Sequence, residues 1–263
     1  RDRREPGLNR LMTTRRAPAK KRLDLLLQER GFAESRERAK GLILSGSVLV
    51  GGKKVEKAGA QVEADAEIAL LKPPAPYVSR GGLKLEGAFD AFRIDAAGKV
   101  AVDVGASTGG FTDLLLQRGA ARVYAVDVGY GQLAWRLRQD RRVVVLERQN
   151  IRSLPSEAIP EPVDLATIDV SFISLEKVIP AVLPFLKAGG EIVALVKPQF
   201  EVGKGEVGKG GIVRSVEKRQ KVLEKILGAA GGWGLSVIGT IPSPILGQKG
   251  NVEFFVYFRK DAR

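Results

Sequence analysis

Lys197 closes an apolar run in Val193-Ala-Leu-Val-Lys197-Pro198-Gln199-Phe200-Glu201, and Asp169 closes another in Ala166-Thr-Ile-Asp169-Val-Ser171-Phe172. Lys84 lies between Leu83 and Leu85 in Ser79-Arg-Gly-Gly-Leu-Lys84-Leu-Glu86, and Glu253 sits in Gly250-Asn251-Val252-Glu253-Phe254-Phe255. A charged side chain among apolar neighbours is costly to bury unless it is paired. Two lysines and two carboxylates can pair, either as structural ion pairs or as proton-handling groups around one ligand. What the chain lacks narrows the chemistry further: it has no His and no Cys in 263 residues. Imidazole bases, thiol nucleophiles, disulfides and His- or Cys-ligated metals are excluded, and no metal is expected. Any proton transfer rests on Asp, Glu, Lys, Tyr or water.

A ligand site is written into Val102-Asp103-Val104-Gly105-Ala106-Ser107-Thr108-Gly109-Gly110-Phe111-Thr112. An apolar strand ends in an acid, and a turn of small residues opens a helix. Glycines there let the backbone approach a ligand closely. The spacing is not the dinucleotide G-x-G-x-x-G pattern. About twenty residues on, Val123-Tyr-Ala-Val-Asp127 is a second strand ending in an acid, where a carboxylate can accept both ribose hydroxyls of an adenosine cofactor. The pair suits S-adenosyl-L-methionine, which has no pyrophosphate to cradle. We assign Gly105, Ser107 and Gly109 to its methionine end, Asp127 to its ribose and Asn150 either to its adenine or to a plain solvent-facing turn, with Asp169 close to the transferring methyl; Tyr130 is placed to stack on the base. The stretch Gly203-Lys-Gly-Glu-Val-Gly208-Lys209-Gly210 resembles a P-loop but has Gly210 where Mg²⁺ binding needs Ser or Thr, so it reads as a basic loop.

The elements that position these residues follow from the pattern of the chain. Apolar β-branched runs at 100–104, 123–126, 143–146, 165–168, 192–196, 235–241 and 254–258 alternate with helical segments near 113–118, 131–138, 175–186 and 216–230. Such alternation argues a doubly wound, mostly parallel sheet of seven strands over residues 77–259. Residues 21–71 read as a small α+β unit. Leu23, Leu26 and Leu27 mark one helix, Ser35 caps a second with Ala39, Leu42 and Ile43 inward, Gly46 ends it, and Val48 and Val50 enter a hairpin turned by Gly51-Gly52. Residues 72–76, with three prolines, read as a stiff linker, and 1–20 as a flexible basic tail. Met12 is the only methionine, so residues 1–11 read as an upstream extension.

Lys and Arg total 43 against 30 Asp and Glu, a formal net charge of +13, densest in the N-terminal part. Such a surface suits a polyanion. No apolar run approaches the roughly 20 residues of a membrane-spanning helix, so a cytoplasmic protein with no membrane partner is expected.

Residues 77–258 resemble the FtsJ-type ribose 2′-O-methyltransferases, which carry a Lys-Asp-Lys-Glu tetrad in this order, here Lys84, Asp169, Lys197 and Glu253. Over about residues 21–259 the chain is similar to the TlyA-type branch of bacterial ribosomal RNA methyltransferases, which joins an S4-like RNA-binding domain to a Rossmann-like S-adenosylmethionine-dependent domain. The resemblance rests on Ser79-Arg-Gly-Gly-Leu-Lys84, Asp103–Thr112, Ile168–Phe172, Val196–Glu201 and Asn251–Phe255 in combination. It implies methylation of a cytidine ribose in ribosomal RNA or its subunits, with Lys197 as general base, Asp169 orienting it, and Lys84 and Glu253 tuning charge and placing the ribose. In the S4-like unit it points to Arg22, Arg36 and Lys40 as RNA contacts, the latter two at i,i+4 on one helix face; Arg80 joins them from the second domain. The lysine role is chemically sound, since a ribose hydroxyl is a poor nucleophile until deprotonated, and burial or a second cation lowers an ammonium's pKa.

Three other readings remain open at this stage. A non-catalytic ribosome-assembly factor would keep the pocket and bind RNA, but has no need of the intact tetrad. The TlyA branch has carried the name haemolysin, yet no membrane-competent segment is found. Methylation of DNA bases or protein is disfavoured by the lack of a strand-end Asn-Pro-Pro-Tyr-like motif.

Overall fold

The computed structural model describes residues 19–71, 76–203 and 205–262. Residues 1–18 of the expected tail and 72–75 of the expected linker lie outside the described residues. The chain divides at residues 74–75 into two compact units.

In the first unit β1 (Lys20–Arg22) leads directly into α1 (Leu23–Glu29), followed by α2 (Arg36–Leu44), β2 (Val48–Val50), β3 (Lys53–Lys54), β4 (Gln61–Glu63) and β5 (Ile68–Leu70). β1 pairs antiparallel with β4, and a second small sheet has the order β3-β2-β5. Leu23 and Leu27 of α1, Ala39 and Ile43 of α2, and Val48 of β2 are fully buried together. The Ser35 hydroxyl accepts the Arg38 N–H at 3.2 Å, satisfying one of the orphan donors of α2. Gly46 follows the helix at φ +65°, the left-handed turn a side chain resists.

The second unit begins with α3 (Arg80–Phe92), and then alternates: β6 (Val100–Val104), α4 (Gly110–Gln117), β7 (Arg122–Asp127), α5 (Trp135–Arg138), β8 (Val143–Glu147), β9 (Val163–Ile168), α6 (Leu175–Val182), β10 (Leu186–Val196), α7 (Pro198–Glu201), α8 (Val216–Ala229), β11 (Leu235–Pro242) and β12 (Phe254–Lys260). One seven-stranded sheet has the order β11-β12-β10-β9-β6-β7-β8. Only β12 runs against its neighbours. Successive strand residues point to opposite faces, so Val102 and Val104 join the core beneath α6 and α8, while Ala101 joins the core beneath α3 and α4. Each fully buried Leu, Ile or Val in these layers contributes about 1.5–3 kcal/mol.

The chain runs outward from β6 through β7 to β8, then returns to lay β9 and β10 on the other side of β6. The crevice beyond the carboxyl ends of β6 and β9 is therefore a topological switch point, where open α/β sheets hold ligands. Three helices differ from expectation. The segment 131–138 is helical only from Trp135: Gly131 takes φ +71°, and Ala134, just before the helix, is extended at ψ 139°. The helix expected over 175–186 ends at Val182 and gives way to the start of β10. Helix α3, which carries Lys84, had no counterpart in the sequence reading. Among the described residues no helix is long and apolar enough to cross a membrane.

Candidate active site

Each tetrad residue occupies the end of an element or a helix face beside the switch point. Asp169 follows β9 directly, and its N–H donates to the Val104 carbonyl at 2.9 Å, so the ends of β6 and β9 abut. Gly105 makes that approach possible: at φ +87°, a Cβ there would lie 2.4 Å from the Asp169 carbonyl oxygen. Lys197 follows β10, and Pro198 starts α7 where its missing N–H costs nothing. Lys84 lies on the buried face of α3, and Glu253 immediately precedes β12.

The four side chains form two ion pairs. Lys197 Nζ lies 2.6 Å from Asp169 Oδ1 and 3.1 Å from Ser171 Oγ. Lys84 Nζ donates to Glu253 Oε2 at 2.6 Å, with the carboxylate side chain only 2% exposed. Gln199, two positions beyond Lys197, reaches Glu253 Oε1 at 3.5 Å and so links the turn of one pair to the other. Gly247 packs on the same carboxylate, where a Cβ would come within 2.0 Å of Oε1. Lys84 and Asp169 line one cavity of about 300 Å³ together with Ser79, Arg80, Gly105 and Ser107.

A second, adjoining cavity of about 490 Å³ shares Gly105, Ser107 and Asp169 and adds Asp127 and Asn150. Its walls include Val104, Val126, Val128, Ile151, Val170 and Ile173. Asp127 accepts the Ser107 N–H at 2.7 Å on Oδ2 and the Gly129 N–H at 2.6 Å on Oδ1. Each carboxylate oxygen has two acceptor sites, so one remains on each for a pair of ribose hydroxyls. Asn150 caps a 3₁₀ turn, its Oδ1 accepting the Arg152 N–H at 3.1 Å. An apolar slot of this size, with the Asp127 carboxylate in its wall and that of Asp169 at its junction with the lysine-lined cavity, fits a nucleoside bearing a charged amino-acid arm.

Two residues expected at the cofactor do not line either cavity. Gly109 is not among the lining of either cavity; it precedes α4 at φ +98°, and a Cβ there would lie 2.2 Å from Leu137 Cδ1, so its glycine serves close packing. Tyr130 is 67% exposed with the Arg148 guanidinium 4.1 Å from its ring centroid, outside both linings.

Asp103, behind the cavities, is fully buried and accepts the Thr112 hydroxyl at 2.7 Å and the Thr167 hydroxyl at 3.2 Å. Burial pushes its carboxyl up to about 7, with the hydroxyls opposing and the charge of Asp169 adding to the rise. Ser171, Gln199 and Glu201 carry no sign of a role in the sequence, although all three lie in the quoted motifs. Only their partners, 26 or more residues away, reveal them.

In the first unit Arg22 and Arg36 converge on one buried carboxylate. Arg22 donates to Asp24 from Nε at 3.0 Å and Nη2 at 2.9 Å, and Arg36 donates from Nε at 3.0 Å. The Arg22 guanidinium holds the Asp24 carboxyl well below the usual carboxylate range against its burial. Both arginine side chains are 41% exposed, so they are fixed in place while still facing water. Lys40 lies one turn along α2 from Arg36. Arg80 in the second unit lines the smaller cavity and donates to the Leu246 carbonyl at 2.9 Å.

Comparison with known proteins bears on both units. The model of the FtsJ-like methyltransferase family matches residues 77–260, and that of the S4 domain matches residues 21–68. The chain is 48% identical over 239 residues, 90% of its length and 89% of the relative's, to the 16S/23S rRNA (cytidine-2′-O)-methyltransferase TlyA of Mycobacterium tuberculosis. It is 41% identical to Hemolysin A of Brachyspira hyodysenteriae, over 90% of this chain and 99% of the relative. A solved structure titled "Putative hemolysin from Streptococcus thermophilus" superposes with a TM-score of 0.71 at 44% identity, covering 94% of this chain and 90% of that one.

Proposed function

Since this chain belongs to the FtsJ-like methyltransferase family and carries an S4 domain ahead of the methyltransferase fold, we propose that it methylates the 2′-hydroxyl of cytidine in ribosomal RNA. The relative that matches nine-tenths of the chain at 48% identity is named for that reaction. The observation that carries the site assignment is the pairing of Lys197 with Asp169 and of Glu253 with Lys84, where Asp169 and Lys84 line the cavities at the switch point and Lys197 and Glu253 stand behind them.

The methyl donor is assigned as S-adenosyl-L-methionine. Asp127 accepts its ribose hydroxyls, Asn150 meets the adenine, and Gly105 and Ser107 border the amino-acid arm. When bound, this group supplies a methyl on a sulfonium, whose positive charge disfavours a second cation beside it. Lys197 is the general base: its Nζ takes the proton of the 2′-hydroxyl as that oxygen becomes nucleophilic. Asp169 holds Nζ from one side and Ser171 from the other, which fixes its direction. Lys84 and Glu253 neutralise one another, and Lys84 presents its donors to the cavity that admits the ribose. Arg80 at the mouth, with Arg22, Arg36 and Lys40 of the S4 domain, contacts phosphates. The substrate places the reaction in the cytoplasm.

The test is Lys197→Ala in the full chain. Methyl transfer to ribosomal RNA should drop by about a hundredfold or more, within the range for loss of a general base, while donor binding by calorimetry stays as in the wild type. Transfer at the wild-type rate removes Lys197 from the role.

A further inference from the structure

The turn that begins with Lys197 ends with Glu201, a carboxylate that the reaction as described leaves unused. Glu201 closes α7 and is 8% exposed. Its Oε2 accepts the Ser174 hydroxyl at 2.6 Å and its Oε1 accepts the Leu175 N–H at 2.8 Å. Ser174 and Leu175 open α6 and follow the stretch that carries Asp169 and Ser171. The turn after β10 therefore lies along the segment after β9, matched contact for contact. Lys197 meets Asp169 and Ser171, the Phe200 ring stands 4.8 Å from that of Phe172, and Glu201 meets Ser174 and Leu175.

These contacts are unequal. Phe172 is 89% exposed and adopts φ +64°, so the aromatic contact is wet and its backbone strained. The Glu201 contact is the dry one, with Leu175 only 1% exposed. A buried carboxylate with two short donors is the stiffest link between the two segments. It does more than cap α6: it takes the Leu175 N–H, while the Ser174 Oγ takes the Glu176 N–H at 3.2 Å, and it also ties the start of α6 to the end of α7. Burial pushes the Glu201 carboxyl up from its ordinary value. A glutamine there keeps both contacts, because its Oε1 can accept the Leu175 N–H and the Ser174 hydroxyl can accept as well as donate.

We propose that Glu201 is a positioning residue for methyl transfer: by pinning the turn that carries Lys197 to the segment that carries Asp169 and Ser171, it sets the approach of the Lys197–Asp169 pair. The inference rests on the reading of Lys197 and Asp169 as the base and its orienting partner.

Three variants test it, each assayed well below its melting temperature: Glu201→Leu, Glu201→Gln and Ser174→Ala. Misplacement of a base by an ångström costs up to about a hundredfold in rate, so Glu201→Leu should lose about ten- to a hundredfold in kcat, with KM for RNA and donor affinity unchanged. Glu201→Gln accepts from Leu175 and donates to Ser174, so it should restore kcat to near the wild-type value. Ser174→Ala removes one of the two links and should lose kcat by a smaller factor; it decides the matter if Glu201→Leu does not fold. Wild-type kcat in Glu201→Leu, a loss confined to KM, equal losses in the Leu and Gln variants, or an unaffected Ser174→Ala each overturns the proposal. An inactive wild-type protein would instead overturn the methyltransferase reading, so the two failures are distinguishable.

Discussion

Asp103 holds a carboxyl group that water does not reach, 0% exposed between Thr112 and Thr167. Its pKa rises from an ordinary 3.8 to about 7, chiefly through burial. A raised carboxyl favours the folded state fully below the unfolded value and loses that contribution as pH rises through the folded one. The window here runs from about pH 4 to about pH 7, and the contribution lost across it is on the order of 2–4 kcal/mol. Asp103→Asn cannot ionise and keeps an acceptor for Thr112. Its stability relative to wild type, read from urea midpoints, should therefore improve between about pH 5 and pH 7 and level off above. A difference constant across that range would show that Asp103 does not titrate there.

At the same scale, the tetrad was legible because the chain offers no imidazole or thiol, and because charges set in apolar runs are conspicuous. Glu201 and Ser171 were not, although they stand in the same motifs. A carboxylate whose donors are a hydroxyl and a backbone N–H 26 residues away has no spacing signature. Gly109 was legible as a glycine that must be one, but the reason is the Leu133 and Leu137 side chains against it.

At the scale of elements, the Lys84–Glu253 pair ties α3 to the entrance of β12. Removing one partner of a buried pair leaves the other charged in a dry site, whereas replacing both with apolar groups does not. Lys84→Met alone and Glu253→Leu alone should each lower the unfolding free energy by about 3 kcal/mol, and the two combined should recover most of that loss while remaining inactive. Denaturant midpoints check this; a double variant as unstable as the sum of the two single changes would contradict a compensated buried pair.

The central strands β6, β7, β9 and β10 were readable because both faces are covered, which makes each a short, nearly continuous apolar run. Helix α3 was not, because Gly81, Gly82 and Gly87 lower its helical propensity. Tertiary packing requires two of them: a Cβ on Gly82 would lie 2.2 Å from the Tyr77 ring, and one on Gly87 would lie 2.7 Å from Pro244. The early start of β10 was hidden by Lys187-Ala-Gly-Gly, which reads as a turn; the pairing register with β9 shifts between Leu186 and Glu191.

At the scale of the whole molecule, a net charge of +13 and an S4 domain joined to a methyltransferase fold divide the work between holding RNA and modifying it. Charge attraction to phosphate is long-ranged and insensitive to sequence, so the basic surface gathers substrate without choosing the base. On the proposed function, the choice of atom belongs to the switch-point cavities, beside which Lys197 would meet the reacting hydroxyl. Composition pointed toward a polyanion, and the motif combination forecast the family. The link through Glu201 emerged only once the loops after β9 and β10 were seen side by side. The most direct measurement is mass spectrometry of nucleosides from ribosomal RNA incubated with the full chain and isotopically labelled S-adenosyl-L-methionine. The account predicts label in 2′-O-methylcytidine and none in base-methylated nucleosides; label on a base, or no label in ribose, would contradict it.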